Sequence, residues 1–304
     1  MVRPGIMSKK LIKCIALVTV CANLLSMAAC SSDESEETAA ETYIETTAVT
    51  TTTAPVETTP PDYMTMPITV PAEAYGVLSA YAASVGQDPS IYPQEVLDIL
   101  TTFPDARMFA FEYPEKMNES EDVRNSTSAD MTSDYSPARL STIYQWDTRW
   151  GYKDYCGKTV GQSGSAPTCV SICAMYLLKD SGFNPAWIAD YAINNNYCDH
   201  EGGSGSYRTL ITDGGYGIGI DVVQITNDEQ RVKNNIDVGN PIICAMDGAV
   251  FGNRFEPEHY IIITDYDDEG FTIIDPGSST RTGTKWQWAS LSAEIQALWV
   301  YRIL

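Results

Sequence analysis

Between residues 92 and 115 the apolar positions Val96, Leu97, Ile99, Leu100 and Phe103 recur at helical spacing, and Met108-Phe-Ala-Phe111 follows. The spacing predicts a short amphipathic helix followed by an apolar run. After a polar stretch over 115–137, the segment from Pro167 to Lys179 carries Val170, Ile172, Cys173, Ala174, Met175, Leu177 and Leu178 with almost no polar face. With Pro in its first turn it predicts a buried helix. A second helix is predicted over Pro185 to Asn194, and a Gly-rich stretch spans 202–219. The pattern then turns to strands at 220–223, 241–246, 259–264 and 271–275, the last two joined by Asp265-Tyr-Asp-Asp-Glu-Gly270, a hairpin-turn composition. Helices followed by an antiparallel sheet give an α+β order. All six tryptophans lie at 146 or beyond, which predicts a main core built from about residue 140 onward.

The first 62 residues show no such pattern, and their charges explain why. Residues 1–30 hold four bases and no acid, and an apolar stretch from Cys14 to Ala29 ends in small residues before Cys30. At 16 residues with Asn23 inside, it is short for a membrane span of about 20 and has the form of an export signal. The sequence Leu25-Ser-Met-Ala-Ala-Cys30 resembles a bacterial lipobox, which implies lipidation of Cys30 as the mature N-terminus. Residues 31–62 hold eight acids, no base and ten threonines, and nothing in them can offset the entropy of ordering. Such a self-repelling tether of about 30 residues, at ~3.1 Å each, reaches up to ~100 Å. The remaining 242 residues carry 15 − 32 = −17, so an acidic surface argues against nucleic-acid binding.

Five cysteines follow Cys30: Cys156, Cys169, Cys173, Cys198 and Cys244. The odd count leaves at least one thiol free, the spacing is no zinc pattern, and Cys156–Cys198 is the one expected disulfide. Cys198-Asp-His-Glu201 reads as a polar loop, since four adjacent ligand types cannot all face one ion. Asp265, Asp267 and Glu269 imitate half a calcium loop, but the twelfth position is Pro276. Gly214-Gly-Tyr-Gly-Ile-Gly219 lacks the last glycine of a dinucleotide fingerprint.

Folding back about the turn near 267–269 brings His259, at one strand start, and Asp275, at the next strand's end, to the same end of the sheet. There a carboxylate fixes the imidazole tautomer and stabilises its cation. The place for a nucleophile is the N-terminus of the buried helix, where free N–H groups favour an anion.

Four stretches occur in order: Gln145-Trp-Asp-Thr-Arg-Trp-Gly151, Ser163-Gly-Ser-Ala-Pro-Thr-Cys169, Glu258-His-Tyr-Ile-Ile-Ile263 and Asp275-Pro-Gly-Ser-Ser279. Together they resemble papain-fold cysteine peptidases related to the bacteriocin-processing, double-glycine peptidases, over about 143–304. Residues 92–115 are similar to a leader that often precedes such domains. The resemblance implies a papain-like α+β fold, a nucleophile-bearing helix packed on an antiparallel sheet, and peptide-bond hydrolysis without a cofactor. It also implies roles: Gln145 as oxyanion donor, residue 165 as nucleophile, His259 as base and then acid, and Asp275 as its orienting group. The chain departs from that pattern at Ser165, where the family has Cys. A thiol beside His at a helix start ionises readily, with a pKa lowered from about 8.5 to ~3.5–7.5, whereas a serine hydroxyl must lose its proton during attack. Four readings stay open: a degenerate enzyme that binds peptide without cleaving it, a serine hydrolase on this frame, a nucleophile moved to Cys169 about 6 Å into the helix, and an introduced Ser165 in a cysteine enzyme.

The expected organisation is a signal at 1–29, lipidated Cys30 and tether at 30–62, a leader with a short helix at 63–139, and a papain-like domain at 140–304. The expected function is a surface-tethered, peptidase-like domain acting on or binding peptides, impaired by Ser165. The alternatives are active hydrolysis through Ser165 and a purely structural surface protein. The expected partners are extracellular peptides or cell-envelope proteins and, through Cys30, the membrane, with the protein monomeric and exported to the outer face. No cofactor, metal or nucleic acid is expected. Specificity is expected from Trp150, Tyr207 and Phe251-Gly-Asn-Arg-Phe255.

Overall fold

The helix expected from Pro167 begins two residues earlier and spans Ser165–Leu178. The computed structural model describes residues 62–203 and 205–303, so the signal, Cys30 and most of the tether lie outside the described residues. Ahead of that helix come four others, α1 (Pro71–Ser84), α2 (Gln94–Thr102), α3 (Arg107–Lys116) and α4 (Glu121–Arg124), then a small ribbon of β1 (Asp154–Tyr155) and β2 (Lys158–Thr159), and α5 (Val160–Ser163). The long buried helix is α6. A Cβ on Gly164, at the junction of α5 and α6, would lie 2.4 Å from the Val160 carbonyl oxygen, so only glycine permits this turn.

Next come α7 (Pro185–Asn194), a π-helical turn (Leu210–Gly214), α8 (Gly215–Gly217), β3 (Ile220–Ile225), α9 (Glu229–Ile236), β4 (Ile242–Met246), β5 (His259–Asp267), β6 (Gly270–Ile274), α10 (Ser279–Thr282), α11 (Trp288–Glu294) and β7 (Ile295–Ile303). The five long strands form one antiparallel sheet in the order β3-β7-β4-β5-β6. β7, absent from the sequence expectation, lies inside the sheet between β3 and β4. Every residue of β4 is buried because both sheet faces are covered, which is why its sequence is apolar without alternation. Ile243 and Ala245 share a cluster with Ile172 and Met175 of α6 and with Ile262 and Trp299. Ile242, Cys244 and Met246 join Ile261, Ile263 and Leu298 in a second cluster.

Two expectations are corrected. Residues 63–139 are not a leader with one short helix, since the apolar run Met108-Phe-Ala-Phe111 lies inside α3. The helices build a third core cluster, with Val77, Leu100, Phe103 and Phe109, that also takes Tyr152 and Phe255 from the later chain. Packing therefore does not divide at 139/140: the largest cluster runs from Met131 onward, the helices add a cluster of their own that reaches Tyr152 and Phe255, and the described residues from 62 onward form one unit. Sharing aromatic surface across that boundary removes more of it from water than two smaller cores would. The Cys156–Cys198 disulfide is present, while Cys169, Cys173 and Cys244 are buried thiols. No described helix is long and apolar enough to cross a membrane.

Candidate active site

The β5–β6 hairpin closes through a two-residue turn at Asp268-Glu269, with Ile262 opposite Ile274. That register puts His259, the first residue of β5, beside Asp275, the residue after β6: Nε2 and Oδ1 are 2.7 Å apart. Asp275 also takes hydrogen bonds from the Arg281 guanidinium and, at 2.7 Å, from Gly277 N–H. Gln145 comes to the same place because its backbone N–H donates to the Pro276 carbonyl at 2.9 Å. Its side-chain Nε2 donates to the Gly161 carbonyl at 3.1 Å, and its buried Oε1 has no partner.

Ser165 is the first residue of α6, and its Oγ accepts a hydrogen bond from Tyr260 N–H at 3.1 Å. Its own hydroxyl hydrogen goes to Glu256, with Oγ to Oε2 at 2.8 Å. The other oxygen of the same carboxylate, Oε1, lies 2.8 Å from His259 Nδ1. The line of contacts therefore runs Ser165, Glu256, His259, Asp275, Arg281. Asn253 holds the turn that presents Glu256, accepting from Glu256 N–H at 3.2 Å and donating to Oε1 at 3.1 Å. Glu256 was not among the sequence candidates. An acid three residues before the histidine was the available signal, but only the turn aims it inward.

The electrostatics follow from burial and pairing. Burial alone pulls the His259 imidazole down, but the charge and hydrogen bond of Asp275, joined by Glu256, outweigh it and raise its pKa from 6.5 to about 9. Burial pushes the Asp275 carboxyl up, yet His259 and Arg281 hold it at about 2. This pairing favours the cationic imidazole, with Nδ1 and Nε2 each within hydrogen-bond distance of a carboxylate oxygen. The Cys169 thiol is driven well above its ordinary value by burial, which makes it a poor replacement nucleophile.

Ser165, His259, Asp275 and Gln145 are each 0% exposed and Glu256 5%. Part of the cover is Phe103, whose Cε1 lies 2.9 Å from where a Gly277 Cβ would stand, with His259 Cε1 3.0 Å from that same point. Phe103 stacks on Phe255, with ring centroids 6.0 Å apart, and Asp105 accepts from Ser279 N–H at 2.9 Å. A groove of about 660 Å³ opens elsewhere, on the helical layer among Ile91, Tyr113 and Met117, and none of the site residues lines it. Its shape carries no chemistry, so the buried cluster is the candidate centre. Of the expected specificity residues, Trp150 and Phe251 are core side chains, Phe255 is buried and Tyr207 is exposed. Cys156 and Cys198 lie near His200, but their sulfurs are joined to each other and offer no thiolate to a metal.

The model of the Peptidase_C39 like family matches residues 125–302, more than half of the chain. The chain belongs to that family. Membership in the Peptidase_C39 like family and the observed helix-on-antiparallel-sheet architecture give this chain the papain-like α+β fold. The helical layer before residue 125 lies outside the family match. A crystal structure of the peptidase domain of Streptococcus ComA, a bifunctional ABC transporter involved in a quorum sensing pathway, is similar at 14% identity. The similarity covers 55% of this chain and 100% of that one, with a TM-score of 0.38, too loose for any argument to rest on it. No curated protein matches the sequence.

Proposed function

We propose that this member of the Peptidase_C39 like family is a surface-tethered domain that binds peptides and does not cleave them. The observation that carries the reading is that the Ser165 hydroxyl bonds the Glu256 carboxylate and not the His259 imidazole. Acyl transfer by serine needs a neutral base that takes the hydroxyl proton as the carbonyl is attacked. Here the imidazole lies between two carboxylates that favour its protonated form, and the Gln145 amide, the expected oxyanion donor, spends one N–H on Gly161. Each 1.36 kcal/mol added to the barrier removes about a factor of ten in rate, so a hydroxyl nucleophile bonded away from its base silences turnover. Peptide binding does not depend on a nucleophile and survives this loss.

The test incubates the full chain and its Ser165→Ala variant with a diverse peptide pool, read by mass spectrometry and by recovery of bound peptides. Neither form is expected to cleave, and both should retain the same peptides. Cleavage by the native form that disappears in Ser165→Ala would sink the reading and establish a serine hydrolase.

The placement at the membrane rests on the signal-like segment, Cys30 and the acidic spacer. Cells grown with a labelled fatty acid should incorporate it into the native chain and not into Cys30→Ala. Equal labelling of the two would remove the anchor from the proposal.

A further inference from the structure

Ser165 is the departure visible in the sequence, but the centre carries another. We infer that Glu256 is an independent lock on this site: its carboxylate bridges residue 165 and His259, so restoring sulfur at 165 alone does not restore a nucleophile–imidazole pair. The inference rests on the reading that the native centre is silent.

The geometry supports this from both ends. Oε2 takes the Ser165 hydroxyl hydrogen and Oε1 faces His259 Nδ1, both at 2.8 Å. A cysteine nucleophile works as a thiolate stabilised by imidazolium. At position 165 a thiol would instead meet a carboxylate as its nearest partner, and two anions sharing one buried site disfavour each other's ionisation. Glu256 is also fixed by the Asn253 turn and by its neighbours. Phe255 packs into the helical cluster, Arg254 pairs with Asp98 of α2 at 2.7 Å, and Lys158 donates to the Phe255 carbonyl. The backbone that carries the carboxylate is therefore tied to α2 and to β2. The other charged and titratable groups around the bridge include Lys158, Tyr155, Tyr260 and Cys169, which feel Glu256, and Asp275 with Arg281 beyond His259. None of their side chains bonds Ser165 Oγ among the described hydrogen bonds, where Tyr260 contributes only its backbone N–H. Glu256 acts on the nucleophile position through charge and placement, so it is a positioning residue and not a catalytic one.

The experiment compares full chains carrying Ser165→Cys alone, Ser165→Cys with Glu256→Gln, and Ser165→Cys with Glu256→Ala. Gln removes the charge at constant shape, and Ala also opens the gap. The first readout is the ultraviolet absorbance of the thiolate against pH, which needs no reagent to enter the buried site. Ser165→Cys alone should ionise only above the free-thiol value of about 8.5. Either double variant should ionise at least one pH unit lower, with about tenfold more thiolate relative to thiol at neutral pH. A low midpoint in Ser165→Cys alone, or one midpoint shared by all three, would overturn the lock. The second readout is the His259 titration by NMR, tractable because the chain has only two histidines. Its midpoint should fall by a unit or more in Glu256→Gln, which is conservative enough to keep the fold if Glu256→Ala does not. An unmoved midpoint would equally overturn the proposal. Failure of the parent reading looks different: the native chain itself would cleave peptides. Loss of that cleavage in both Ser165→Ala and Glu256→Gln would overturn the lock as well, recasting Glu256 as the base for Ser165.

Discussion

Phe109→Ala is expected to lower the unfolding free energy of the full chain by about 3–5 kcal/mol. Phe109 lies in α3, outside the family-matched region, yet it is 0% exposed, and its ring stacks on Tyr152 at 4.6 Å between centroids. It sits on a flat made by two glycines. A Cβ on Gly151 would stand 2.8 Å from the ring, and one on Gly161 2.7 Å from it. The Phe109 carbonyl accepts the Tyr152 hydroxyl at 3.0 Å, so ring and backbone both tie the helical layer down. Truncation would open a cavity with walls on two parts of the fold, which is the costly case. The converse change, Gly161→Ala, should also destabilise, by about 1–3 kcal/mol, through overpacking. It should in addition disturb Gln145, whose Nε2 donates to the Gly161 carbonyl. Denaturant unfolding of both variants checks this. A loss below about 1 kcal/mol for Phe109→Ala, well short of the usual range for an aromatic truncation, would mean that the helices lean on the domain without being part of its core.

Asp275→Asn is expected to cost about 3–5 kcal/mol near pH 6, because it leaves His259⁺ and Arg281⁺ without their shared buried partner. It should also change the shape of the pH profile. His259 has a pKa raised from 6.5 to about 9, so its contribution is fully present below about 6.5 and is lost as pH rises through 9. That rise corresponds to about 3 kcal/mol. Asp275 has a pKa lowered from 3.8 to about 2, so its contribution is present above 3.8 and is lost as pH falls towards 2. The two are faces of one coupling and are not added. Native stability should therefore form a plateau from about pH 4 to 6.5, falling on both sides. In Asp275→Asn the fall between 6.5 and 9 should flatten. Unfolding midpoints measured across pH 3–10 decide it, and an unchanged alkaline limb in the variant would mean that His259 is not held cationic by Asp275.

The elements legible in the sequence share one property: their cause is local. The helix Pro185–Asn194 matches its expected bounds because Asn184 accepts from Trp187 N–H and Pro185 pre-sets the first turn. The hairpin was legible because Asp267 accepts from Glu269 and Gly270 N–H within a few residues. β7 was missed although its run is apolar, since its strand state depends on pairing with both β3 and β4. α9 was missed too: it has one buried residue, Val232, and leans on its Asp228 cap. The four-helix layer was underestimated because its apolar residues are spread through short segments that only bury surface together.

At the site, the sequence by itself determined which side chains are available: Ser165 at the helix start, and His259 and Asp275 at the two ends of a hairpin whose fold-back brings them together. Order along the chain suffices there, because strand period and a two-residue turn leave little freedom. Tertiary structure alone decided what those groups do to each other. Glu256 enters through a turn held by Asn253 and packed under the helical layer, a placement set by contacts with residues far away in sequence. Its carboxylate extends a familiar Ser–His–Asp arrangement into a line of hydrogen bonds and ion pairs from Ser165 to Arg281. The reason is physical: spacing carries the identity of a residue, but the distance between a carboxylate and an imidazole, on which their charges depend, belongs to the packed fold.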